Sequence, residues 1–138
     1  MPAAGEFVLD ANAVLALLLD EPGRDAALDL LNAPGRHFVI HALNACEVFY
    51  DFLRRGNTEA AAALVEALEG NGIQVVSVMD RDLWERAGQL KASLRRVSLA
   101  DCIALALTLK SGGTLVTTDH HELDRVAAEG ICPILFLR

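Results

Sequence analysis

The chain is predicted to fold as a three-layer α/β/α sandwich around a mostly parallel central sheet. Two observations carry the expectation. Short apolar runs of strand length alternate along the 138 residues with longer stretches of helical periodicity. Turn-forming residues punctuate that alternation: Pro22-Gly23, Pro34-Gly35, Gly70-Asn71-Gly72 and Gly112-Gly113. Strands separated by helices need crossover connections, so the sheet is parallel and covered on both faces.

Phe7-Val8-Leu9 marks a first strand at about 6–9, and a helix follows at about 11–20, ending before Pro22-Gly23. A second helix, about 24–32, stops at Pro34-Gly35, and Phe38-Val39-Ile40 makes the second strand at about 38–40. Helices at about 42–55 and 58–69 precede the glycines before a third strand at about 74–78. In the helix expected at 81–96, Leu83, Ala87, Leu90 and Leu94 form one apolar stripe with Trp84 alongside. The helix at 99–111 is apolar nearly all round, hence buried, and Gly112-Gly113 ends it before a strand at 114–117. A helix at about 120–129 and a strand at about 133–136 complete one domain, residues 1–138, with no repeat or linker.

Composition narrows the function classes. The longest unbroken apolar stretch, Ala13–Leu19, is too short to cross a bilayer, so no membrane span is expected. No basic segment followed by a long apolar stretch opens the chain, which predicts no secretory signal and a cytoplasmic protein. Cys46, Cys102 and Cys132 are scattered among apolar residues and read as buried free thiols rather than a disulfide frame or zinc site. A net charge of −7 argues against a general nucleic-acid binder, though not against an enzyme that holds phosphates through bound metal. Arg54-Arg55, Lys91 with Arg95-Arg96, and Lys110 are the local basic candidates for an RNA grip.

Four acids stand at places that call for explanation. Asp10 follows the first apolar run, and Glu47 lies in the helix after the second. Asp101 interrupts the apolar Leu99–Leu109, and Asp119 follows the run Thr114–Thr118. Singly, each has an ordinary reading: Asp10 and Asp119 as helix N-caps, Asp101 as a capping-box partner of Ser98, and Glu47 on a solvated stripe with Asn44, Asp51 and Arg54. Asp101 strains its reading most, because burial in an apolar helix disfavours a carboxylate's charge. Jointly, acids at the carboxyl ends of parallel strands fall on the edge where open α/β sheets bind ligands. Two carboxylates about 4 Å apart repel by roughly 4 kcal/mol at an effective dielectric near 20. A hard divalent cation, Mg²⁺ or Mn²⁺, relieves that repulsion.

Val8-Leu9-Asp10-Ala11-Asn12, Asn44-Ala45-Cys46-Glu47, Ser98-Leu99-Ala100-Asp101-Cys102 and Leu115-Val116-Thr117-Thr118-Asp119 together resemble the four-motif signature of the PIN domain. In detail the chain is similar to the VapC-type toxins of bacterial type II toxin–antitoxin pairs. The resemblance runs from about Phe7 to Phe136. It implies a PIN-like fold and a metal-dependent ribonuclease, with Asp10, Glu47, Asp101 and Asp119 matching the family's acidic quartet. Asn12 and Thr117 match polar positions that would orient ligands and water. Two departures are mild: Asn12 stands where many members carry a hydroxyl, and Glu122-Leu123 stands where Asp-Phe is common. On this reading Asp10 and Asp101 hold a principal ion, Glu47 and Asp119 complete the site, and cleavage leaves a 5′-phosphate and a 3′-hydroxyl.

The resemblance also implies a cognate antitoxin and a homodimer, for which Phe49, Tyr50, Phe52 and Leu53 offer a surplus of apolar surface beside Glu47. His120-His121 points to surface or phosphate contact rather than a metal pair, since adjacent residues at a helix start diverge. His37 and His41 carry no spacing signal. Two rivals fit less well. A phosphatase or receiver domain lacks its second acid and late lysine, and an inactive PIN-like scaffold has no reason to keep four mutually repelling acids.

Overall fold

A computed structural model describes residues 5–138. Strands β1 (Gly5–Leu9), β2 (Arg36–His41), β3 (Ile73–Val76), β4 (Thr114–Thr117) and β5 (Ile134–Phe136) form one sheet in the order β3-β2-β1-β4-β5. Every pairing is parallel. β2 starts two residues earlier than its apolar run because Arg36 and His37 pair with Gly5 and Glu6 of β1. Among the described residues the helices are α1 (Ala11–Leu18), α2 (Arg24–Asn32), α3 (Ala42–Arg54), α4 (Thr58–Ala62), α5 (Leu64–Gly70), α6 (Arg81–Ser93), α7 (Leu99–Ser111) and α8 (His120–Ala128). None is long and apolar enough to cross a membrane.

Side chains alternate across the sheet, as strand geometry requires. Phe7, Leu9, Phe38, Ile40 and Val116 face a core built with α1 to α5, and Val8, Val39 and Leu115 face a second core built with α6, α7 and α8. α7 lies buried along most of its length, as its composition predicts. Its carboxyl end closes on Gly112 in the left-handed conformation, at φ 67°. At the neighbouring Gly113 any side chain would collide with the Glu6 carbonyl, so only glycine lets β4 start this close to β1.

Several expectations need correction. The single helix expected at 58–69 is two, bent at Ala63 (φ −91°, ψ 4°), because Ala61 packs toward α3 while Leu64 and Leu68 reach the core beside β3. The helix expected to reach 96 stops at Ser93, since Leu94 and Val97 bury themselves in the connection and Ser98 must cap the next helix. Lys91 pins that connection by donating to the carbonyls of Arg95 (2.9 Å) and Val97 (2.8 Å). Trp84 does not join the stripe of Leu83 and Ala87 but lies on the exposed side of α6. Cys102 and Cys132 are buried free thiols as expected, but Cys46 is exposed, on the same face of α3 as Phe49, Tyr50 and Leu53. Phe52 is a core residue, so only Phe49, Tyr50 and Leu53 of the proposed contact surface are exposed.

From β1 the chain steps outward to β2 and β3, then returns across the sheet through α6 and α7 to β4 on the other side of β1. The connections part at the carboxyl ends of β1 and β4. A crevice at such a switch point is where open α/β sheets place their sites.

Candidate active site and metal centre

Asp10 directly follows β1 and is wholly buried. It caps α1, its Oδ1 accepting from the Ala13 N–H at 2.8 Å. Its other oxygen accepts from the Thr117 hydroxyl at 2.5 Å. The Thr117 hydroxyl in turn accepts from the Asp119 N–H at 2.9 Å. Asp119 caps α8 by accepting from the Glu122 N–H at 3.2 Å. The cap reading and the acidic-edge reading are therefore both true of Asp10 and Asp119. A helix that starts at a strand end needs a cap there, and that cap is a carboxylate on the ligand edge.

Asp101 arrives from the opposite direction, in the first turn of α7, where the Ser98 hydroxyl accepts from its N–H at 3.1 Å. Its buried carboxyl hydrogen-bonds Glu122. Glu47 is half-buried on α3. One turn earlier, the wholly buried Asn44 donates from Nδ2 to the Ala100 carbonyl at 3.3 Å, which fastens α3 to the start of α7. The solvated-stripe reading of α3 is thereby overturned. Asn44 and Asp51 are buried, and Asp51 is held by Arg54 (2.5 Å) and Arg55 (2.7 Å).

Asp101, Asp119 and Glu122 each present a ligand atom within 4.8 Å of the others. Sequence reasoning treated Glu122 only as a departure from the family pattern. The signal that points to it is its position three residues after Asp119 at a helix start, the capping-box spacing, which returns the side chain to the same edge. Asn12 lies exposed in the first turn of α1, one residue beyond Ala11. His120 is committed elsewhere: it bonds Asp124 (2.7 Å) and the Arg138 carbonyl (2.6 Å) and stacks on Phe136. His41 is buried and caps α3, its Nδ1 accepting from the Leu43 N–H and its Nε2 donating to the Val78 carbonyl.

Burial lifts the Asp10 carboxyl to about 7, against the pull of the Thr117 and Ala13 hydrogen bonds and with the help of the Asp119 and Glu47 charges. Burial again acts first on Asp101 and carries it to about 9, reinforced by the hydrogen bond with Glu122 and by the charges of Asp10, Glu122 and Glu47. Glu47 is raised too, by burial and then by Glu122. Asp10 and Asp101 thus hold protons near neutrality, which eases their coexistence with the neighbouring charges. A purely carboxylate donor set with unrelieved repulsion fits a hard divalent cation, which would replace those protons.

The comparisons agree with this geometry. The family model "PIN domain" matches residues 7–129. Among curated proteins no sequence matches the chain. The fold resembles VapBC-1 of nontypeable Haemophilus influenzae, with a TM-score of 0.72 and 16% identity over 96% of this chain and 98% of the other. It resembles VapBC2 of Rickettsia felis bound to a promoter DNA fragment, with a TM-score of 0.73 and 18% identity over 95% and 98%. VapC20 of Mycobacterium tuberculosis, described as a Sarcin-Ricin loop cleaving toxin, gives a TM-score of 0.70 and 20% identity over 86% and 94%. With the acids gathered at the switch point of a five-stranded parallel sheet and the family model spanning most of its length, the chain belongs to the PIN domain family.

Proposed function

We propose that this PIN domain is a Mg²⁺- or Mn²⁺-dependent endoribonuclease, the toxin of a toxin–antitoxin pair acting in the cytosol. The observation that carries the reading is the convergence of Asp101, Asp119 and Glu122 beside the buried Asp10 and the half-buried Glu47. The VapBC neighbours and the cleaving toxin among them lend support.

Asp10, Asp101 and Asp119, with Glu47 and Glu122 beside them, would hold the ion. When bound, such an ion lowers the pKa of a coordinated water and neutralises phosphoryl oxygens. Thr117 aims the Asp10 carboxylate and ties its position to Asp119, while Asn12 is placed to orient water or phosphate at the rim. Asp101 would give up its proton to admit the ion, so affinity for the ion should rise with pH. An antitoxin would answer the same acids with a basic side chain. An arginine suits this best, because its planar fork meets carboxylates in two parallel bonds.

The test is cleavage of structured RNA with Mn²⁺ or Mg²⁺ and then with chelator. The wild type should cut only with metal and leave 5′-phosphate ends. Asp101→Asn should be inactive, and Glu122→Gln should bind the ion about 10–100-fold more weakly. Expression should arrest growth, with relief by Asp10→Ala or by the protein encoded beside the chain. RNA left intact under every metal condition, with no toxicity, would overturn the reading in favour of a binding scaffold.

A further inference from the structure

A nuclease of net charge −7 must still hold a polyanion beside its acids. An ion in the site meets one phosphate and leaves its neighbours facing carboxylates. The structure sorts the basic residues that could help. Arg54 and Arg55 are taken by Asp51, Lys110 by Asp80 at 2.9 Å, and Lys91 by backbone carbonyls. Arg95, Arg96 and His121 are exposed, and none has a side-chain hydrogen-bond or ion-pair partner among the described residues; the two that matter here are Arg96 and His121.

These two groups share one cavity. A concavity of about 230 Å³ is lined by Leu94, Arg96, Val97, His121, Glu122 and Arg125. The α6–α7 connection makes one wall and the first two turns of α8 the other. His121 and Arg125 are four residues apart, hence on one face of α8. Arg125 sits 3.2 Å from Glu129, an exposed pair of little net strength that can open toward a stronger anion. Leu94 and Val97, both buried, give the cavity an apolar base suited to a sugar. Glu122 belongs both to this cavity and to the carboxylate group, so the cationic cavity adjoins the candidate metal centre directly.

We propose that this cavity is a phosphate subsite for the RNA strand. Arg96, with His121 and Arg125, receives a non-scissile phosphate next to the one at the acids. The proposal rests on the nuclease reading, but its failure is separable from the failure of that reading. A cation here adds grip where net charge removes it, and it sets the direction in which the strand leaves the acids. Arginine suits the role because its guanidinium can meet a phosphate with two parallel hydrogen bonds.

The experiment uses the full chain with Arg96→Gln, Arg96→Glu and His121→Ala, and Lys110→Gln as a control. The probe is a fluorescein-labelled structured RNA with single-stranded loops, the substrate class of the cleavage test above. Thermal melts with and without Mn²⁺ should match wild type in the Arg96 and His121 variants, since both residues are exposed and lie outside the acids. Arg96→Gln should raise KM about tenfold with little change in kcat, and Arg96→Glu should raise it further. The slope of log affinity against log salt should shrink by about 0.7 for the lost phosphate contact. Lys110→Gln should change neither quantity. If wild type neither binds nor cuts RNA, the nuclease reading falls and the subsite with it. If wild type cuts RNA and Arg96→Glu shows the same KM and salt slope, the subsite alone is overturned. It is overturned equally if the Arg96 variants keep their RNA affinity and instead lose the complex with the protein encoded beside the chain. The cavity would then be a protein contact.

Discussion

Thr117 links the two strand ends of the site through a single hydroxyl. It donates to Asp10 and accepts from the Asp119 N–H, so one side chain sets two acids at once. The Thr117 bond is the strongest influence holding the Asp10 carboxyl down against burial. Thr117→Val keeps the shape and removes the bond, which must push Asp10 above its present value of about 7. A hydrogen bond to a charged group contributes about 1.5–3 kcal/mol, so activity near pH 7 should fall about tenfold or more. The acid limb of the pH–rate profile should move to higher pH, because Asp10 would bind its proton more tightly. A profile unmoved from wild type would deny Thr117 this part.

At the scale of elements, α7 and α3 decide what the sheet edge becomes. α7 delivers Asp101 from a buried helix whose start is fixed by Ser98 and by the Asn44 bond to Ala100. α3 carries Glu47 on its inner side and an apolar stripe on its outer side. Cys46, Phe49, Tyr50 and Leu53 recur at helical spacing there, with Phe49 42%, Tyr50 58% and Leu53 45% exposed. Such a stripe suits a two-fold contact between copies, the commonest symmetry of homo-oligomers. Wild type is expected to sediment as a dimer at micromolar concentration, and Leu53→Glu as a folded monomer. Dimer formation should also slow alkylation of Cys46. A wild type that sediments as a monomer would remove α3 as the contact.

At the scale of the whole molecule, the acids make stability depend on pH in an unusual direction. Folding raises Asp10 from 3.8 to about 7 and Asp101 from 3.8 to about 9. Between about pH 4 and pH 9 the metal-free folded state therefore binds more protons than the unfolded chain, and stability falls as pH rises. The native site is paid for by a strained apo state, a cost of several kcal/mol if each raised unit counts about 1.4 kcal/mol. Urea unfolding of metal-free protein should show a higher midpoint near pH 5 than near pH 8. Mn²⁺ should raise the midpoint far more near pH 8, by binding the folded state alone. Equal or greater metal-free stability near pH 8 would contradict the buried, crowded acids.

The order of strands and helices, the layer architecture and the positions of Asp10, Glu47, Asp101 and Asp119 were legible in the chain. Periodicity and turn residues are local, and an acid after an apolar run shows itself without neighbours. Other features came only with the tertiary structure. The bend at Ala63 and the stop at Ser93 arise where helices must reach two packing partners, which no local propensity records. Glu122 looked like a neighbour of a motif until α8 brought it to Asp101, a residue on a different helix across the crevice. Asp51 and Asn44 looked solvated until α3 was laid against its neighbours. Arg96 was one of several basic candidates until the α6–α7 connection and α8 lined one cavity with it and His121. Sequence settles what a residue can do chemically, because that depends on its own side chain and its immediate turn. Which residues act together depends on distances between segments far apart in the chain, and only packing sets those.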